Sequence, residues 1–188
     1  TVDNLLITHM FGGEAVTPFN ITYRVFNTAY SFLTALCVPY WSKTTEAYEK
    51  KDIDWIKKSI DHLNKVAAFF IVGFIFLAII FKPLARVWLG RDLYYPVGLI
   101  GVMCLYYCFY TIVTVKTQMI NGTGQLNFQL ILMTIMGIFN IPFSIFLAKN
   151  CGLGVVGIRL ATTILMAIAA IAFPINLRNI VNDIEKKK

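Results

Sequence analysis

Long apolar runs separated by short polar turns organise this chain. Positions 16–41, 66–81, 96–120, 126–148 and 154–175 are each dominated by aliphatic and aromatic residues. About 20 such residues cross the hydrocarbon core of a bilayer, so each run reads as a spanning helix. The second reaches that length only if Leu63 and Val66 begin it together. A barrel is a poor alternative, because the runs are far longer than barrel strands and lack a period of two. Residues 1–11 are apolar but too short to span and read as the end of a truncated helix. Gly12 and Gly13 then turn the chain at little steric cost. The pattern therefore predicts an all-α integral membrane protein, with half of one helix followed by five complete ones across 12–175.

The first complete run carries an interruption with a period of its own. Thr17, Asn20, Arg24, Asn27, Ser31 and Thr34 follow one another at steps of three or four, which puts all six on one helical face. A charge on a spanning helix costs roughly 2.5–3.5 kcal/mol on insertion scales, so it faces water or a partner. Arg24 lies about 12 Å from the outer end of its run, too deep for easy snorkelling. It either lines a functional cavity or belongs to a structural ion pair. Arg159 is nearer the outer end of the last run, with Thr162, Thr163 and Met166 continuing its face, and the same two readings stand open. Lys116 lies four residues from the inner end of its run and is expected to snorkel. Asp3 is the acid within an apolar segment. Folding the chain back at Glu14 puts Asp3 and Arg24 at similar depth, which predicts an Asp3–Arg24 pair, structural or sensitive to a coupling ion.

Composition and charge sharpen the picture. The chain is 57% hydrophobic and 14% charged, as a membrane protein should be. One side receives Lys82, Arg86, Arg91 and Lys149. The other receives Lys43, Lys50, Lys51, Lys57, Lys58 and Lys65 from one loop, and Arg178, Lys186, Lys187 and Lys188 from the tail. This bias makes the loop and the basic tail at 176–188 cytoplasmic. The net charge of +7 thus records topology, and no nucleic-acid partner is implied. Within 42–65, Ile53, Ile56, Ile60 and Leu63 fall at helical spacing behind a plausible N-cap, Asp52. They predict an amphipathic segment along the inner membrane surface. Tyr106 and Tyr110 share one face of the 96–120 run, and Tyr107, Thr111, Thr114 and Gln118 share another. Such a wall suits sugars, whose apolar faces stack on rings; helix packing explains it as well. Asn140, Pro142 and Ser144 predict a kink with local polar compensation.

Several chemistries find no support. Cys37, Cys104, Cys108 and Cys151 give no disulfide framework, and Cys104 with Cys108 lacks further metal ligands. No glycine-rich phosphate loop is present, so neither a cofactor nor catalysis is expected.

At this level the chain resembles a known family. TVDNLLITH from Thr1, FGGEAVTPFNITYR from Phe11, PYWSKTTEAY from Pro39, DWIKK from Asp54 and INGTGQ from Ile120 look like the second half of Wzx-type polysaccharide flippases. These belong to the multidrug/oligosaccharidyl-lipid/polysaccharide exporter superfamily. The resemblance implies a six-helix C-terminal lobe of a twelve-helix transporter in the bacterial cytoplasmic membrane, multi-pass, with its C-terminus cytoplasmic. It implies an undecaprenyl-diphosphate-linked glycan as substrate, membrane lipids as surroundings, and polysaccharide assembly proteins as partners. Alternating access would be coupled to a proton or sodium ion, with Asp3 the acid available here. Arg24 and Arg159 would face the diphosphate. Asn20, Asn27, Ser31, Thr34 and Tyr107 would face the glycan. A multidrug exporter, a membrane-embedded glycan polymerase and an inert structural subunit are the competing readings.

Overall fold

The computed structural model describes residues 2–90 and 92–186. Thr1, Arg91, Lys187 and Lys188, which entered the resemblance or the charge count, lie outside them. Among the described residues every regular element is helical: α1 (Val2–Phe11), α2 (Gly13–Glu49), α3 (Ile53–Leu89), α4 (Leu99–Thr123), α5 (Asn127–Ile145), which runs on into a π-helical turn (Phe146–Asn150), and α6 (Gly154–Lys186). This is the all-α architecture that the hydropathy pattern predicts.

Among the described residues four helices are long and apolar enough to cross a membrane: α3, α4, α5 with its π turn, and α6. The 37-residue α2 matches α3 in length, but its polar face leaves it less apolar than those four. The outer surface fits a lipid solvent. Phe69, Ile79 and Val87 of α3 are 76%, 74% and 84% exposed, and Ile138 of α5 and Ile171 of α6 are each 67% exposed. A soluble domain would not leave so many large apolar side chains uncovered together.

The breaks between helices arise from local chemistry. Only Gly12 separates α1 from α2, with φ of 82°, a conformation that costs a residue with a Cβ. Between α2 and α3 the chain turns at Lys50–Asp52, and the Asp52 carboxylate accepts the Trp55 N–H at 3.0 Å. The predicted N-cap is therefore formed. The segment it caps is the first part of α3, so it leads without a break into the next apolar stretch. Ile53, Ile56 and Leu63 are buried, and the helix continues through Pro83 to Leu89. The described part of the basic tail, as far as Lys186, is likewise the end of α6, with Ile180, Val181 and Ile184 buried.

The core is organised around α4, which packs on α2, α3 and α6. Phe26 of α2, Phe74 of α3 and Tyr107 of α4 form a buried aromatic cluster with ring centroids 5.5–6.1 Å apart. Aromatic pairs at such spacing contribute about 0.5–1.5 kcal/mol beyond their buried area. Two glycines allow backbones to approach. A Cβ on Gly122 of α4 would sit 2.8 Å from the Trp41 carbonyl oxygen of α2. A Cβ on Gly157 of α6 would sit 2.8 Å from the Leu147 carbonyl carbon and oxygen in the π turn. Small residues at such crossings are the usual means of tight packing in lipid. Near Pro142, Asn140 of α5 donates from Nδ2 to the Thr162 hydroxyl of α6 at 3.0 Å, a bond between side chains that ties the two helices, whereas the Ser144 hydroxyl is buried with no partner among the described residues.

Candidate functional site

The deepest charges come from opposite ends of the sequence. Asp3 on α1 and Arg159 on α6 form an ion pair, Nη1 to Oδ2 at 2.8 Å, with side chains 8% and 4% exposed. The expected Asp3–Arg24 pair is not what forms. Tyr23 is half-buried, and its ring centroid is 5.9 Å from the Arg159 guanidinium, so that face of α2 looks toward the pair. Arg24, the next residue, is turned about 100° away. It is exposed and lines a shallow apolar recess with Thr28, Leu84, Ala85 and Trp88. Depth along the helix therefore misidentified the partner, because azimuth around α2 decided it.

Arg159 is held from more than one direction. Its guanidinium carbon lies 3.5 Å from the centroid of the Tyr106 ring, close enough for a strong cation–π contact. The Tyr107 ring centroid is 5.9 Å away. Asp3 takes only one of the nitrogens: Nε and Nη2 are buried without a hydrogen-bond partner. Two nitrogens of a fixed charge, with three N–H groups between them, thus lie unpaired beside a tyrosine wall.

That wall has an open side. A cavity of about 420 Å³ is lined by Tyr30 and Thr34 of α2, Tyr106, Tyr110, Val113, Thr114, Thr117 and Gln118 of α4, Gln129 and Met133 of α5, and Met166 of α6. Its volume is within the range of small-molecule sites. The rings of Tyr30 and Tyr110 stack at 4.5 Å, and Tyr106 follows Tyr110 at 5.3 Å. Tyr30 and Thr114 share a hydroxyl–hydroxyl bond of 2.6 Å. Three oxygens of lining residues, Thr117 Oγ1, Gln118 Oε1 and Gln129 Oε1, are buried beneath its surface with no partner in the protein. Leaving such groups unpaired costs about 1–3 kcal/mol each, so a side-chain rotation that brings them to a polar occupant recovers that cost. Tyr106 belongs both to the cavity and to the Arg159 contact, and so connects the two features.

The residues singled out from sequence divide between these surroundings. Thr34 lines the cavity. Tyr107 is buried behind it, and its hydroxyl donates to Asn27 Oδ1 at 3.3 Å. Arg159 and Asp3 lie behind Tyr106. Asn20 is half-buried on α2, and Ser31 is exposed, its hydroxyl donating to the Thr28 carbonyl at 2.7 Å. The six-residue stripe is thus a single face of the helix without being a single site. Lys116, expected to snorkel, is buried and donates to Asn64 Oδ1 of α3. Tyr30, Thr117, Gln129 and Met133 escaped sequence reasoning. Among these Gln129 carries the available signal, since an uncharged amide within an apolar run needs a partner.

Among the described residues no group of three His, Cys, Asp or Glu side chains could hold a metal ion. Comparison with family models, with curated proteins and with solved structures finds no match.

Proposed function

We propose that this chain forms part of the path by which a transporter moves lipid-linked oligosaccharides across the bacterial cytoplasmic membrane, as the resemblance to polysaccharide flippases suggests. The observation that carries the reading is the tyrosine- and glutamine-lined cavity with its unpaired oxygen atoms, set inside a bundle whose outer surface is apolar. Sugar hydroxyls donate to Gln118 Oε1 and Gln129 Oε1, and sugar faces stack on Tyr106 and Tyr110. The unpartnered Nε and Nη2 of Arg159 offer donors to a diphosphate that reaches past Tyr106. The lipid tail stays in the bilayer.

In this reading no bond is made or broken. Transport needs only that inward- and outward-open states bind the cargo differently. The cavity lining contains no carboxylate, which supports a glycan over a cationic drug. The lysine-rich loop and tail support a cytoplasmic C-terminus.

The test is the leaflet distribution of the undecaprenyl-linked repeat unit in cells lacking the gene. Complete units should accumulate on the cytoplasmic side and be relieved by the intact gene. Units that reach the outer face unpolymerised would overturn transport in favour of a polymerase. Arg24→Ala then tests the expectation drawn from sequence: normal export by that variant removes Arg24 from the path.

A further inference from the structure

A second cavity lies at the lysine-rich end of the bundle, between α3, α4 and α6. It measures about 340 Å³, and Lys57, Lys116, Arg178 and Asn182 form its polar lining, with Ile60 and Leu177 among its apolar residues. Lys116 is buried, and one of its three donors is taken by Asn64. Two of the cations have an acid set against them. Glu185 pairs with Lys57, and Asp61 of α3 acts on Lys116. Arg178 is exposed and makes no ion pair among the described residues. One cation of the cavity is therefore uncompensated, and a guanidinium suits a phosphate because its planar fork matches two oxygens at once.

The second observation is the surface leading to that arginine. Ile164, Ile168, Ile171 and Ile175 of α6 are all exposed. They precede Arg178 at steps of four, three, four and three, which places the five residues on one face. Fourteen residues of helix extend about 21 Å, longer than one leaflet of a hydrocarbon core some 30 Å thick. An apolar track of acyl-chain length thus ends at a basic, partly apolar cavity.

We infer that this cavity and track bind an anionic phospholipid, its phosphate held by Arg178 and Lys116 and one acyl chain laid along the isoleucine face of α6. Basic recesses between membrane helices suit such headgroups. The assignment uses neither the tyrosine cavity nor the transport reading. Arg178 comes from α6, while Lys57 and Lys116 come from α3 and α4, so an occupied site ties three helices together at one end.

The experiment uses the purified chain in detergent and measures retained lipid by native mass spectrometry after titration with phosphatidylglycerol, phosphatidylcholine or glycerol phosphate. The wild type should hold phosphatidylglycerol in preference to phosphatidylcholine. Arg178→Gln should weaken phosphatidylglycerol about five-fold, while Arg178→Lys should retain most of the preference. Ile171→Ser should weaken the lipid and leave glycerol phosphate unaffected. An Arg178→Gln protein with unchanged preference would overturn the site. Glycerol phosphate held as tightly as the phospholipid would overturn the lipid assignment and leave a simple anion site. Arg178 is exposed, so its replacement does not disturb the packed interior.

Discussion

Removing the buried ion pair one member at a time should give unequal costs. In Asp3→Leu, Arg159 keeps its charge, because a guanidinium cannot lose its proton in a protein. It is left with the Tyr106 face, 3.5 Å from the guanidinium carbon, as its main compensation. Breaking a buried pair from one side typically costs 3–5 kcal/mol, and a desolvated cation–π contact of about 2 kcal/mol keeps the expected loss near the lower end. In Arg159→Met the stranded group is a carboxyl, which can neutralise by binding a proton, so about 2 kcal/mol is expected. The double variant puts two apolar side chains into a site that is already almost closed to solvent, and it should lie within about 1 kcal/mol of wild type. The assay is unfolding in mixed micelles with increasing SDS, followed by fluorescence of the three tryptophans. The coupling energy should then be about 3 kcal/mol or more. Single losses that add in the double variant to within about 0.5 kcal/mol would show that the two charges do not interact, and the reasoning would fail.

Other outcomes rest on the same geometry. Gly157→Ala sets a helix-propensity gain of about 1 kcal/mol against a Cβ 2.8 Å from the Leu147 backbone, and overpacking at about 1–3 kcal/mol should win. Gly137→Ala in α5 meets nothing within 4 Å, so its unfolding midpoint should stay or rise. Gln129→Leu removes an unpaired buried oxygen and should stabilise the protein by about 1 kcal/mol in the same SDS titration, while export of the repeat unit falls at least about ten-fold. The hydrogen bond and charge of Lys50, 2.6 Å from Glu46, hold the Glu46 carboxyl below its ordinary value. Whatever this pair contributes is present above that ordinary value and lost as pH falls through the lower folded one. Both groups are exposed to water, so Lys50→Ala should leave the unfolding midpoint unchanged across that window.

The helical class, the apolar runs of α3 to α6, the break at Gly12 and the Asp52 cap were all legible in the amino-acid order. Each depends on neighbours along the chain: the length of an apolar run, a glycine with positive φ, a side chain three residues from the N–H it accepts. The same order marked Asp3 and Arg159 as charges that needed partners, but the choice of partner was made by packing. Asp3 finds Arg159 across 156 residues because α1 packs on α6, while one step of helical rotation turns Arg24 away from the face Tyr23 shares with the pair. The same holds for the tyrosine cavity. Thr34, Gln118 and Gln129 are ordinary polar residues on three different helices, and they become one surface only where α2, α4 and α5 converge. Spacing along a helix fixes the face on which a residue lies, whereas what that face meets is set by contacts between helices far apart in sequence.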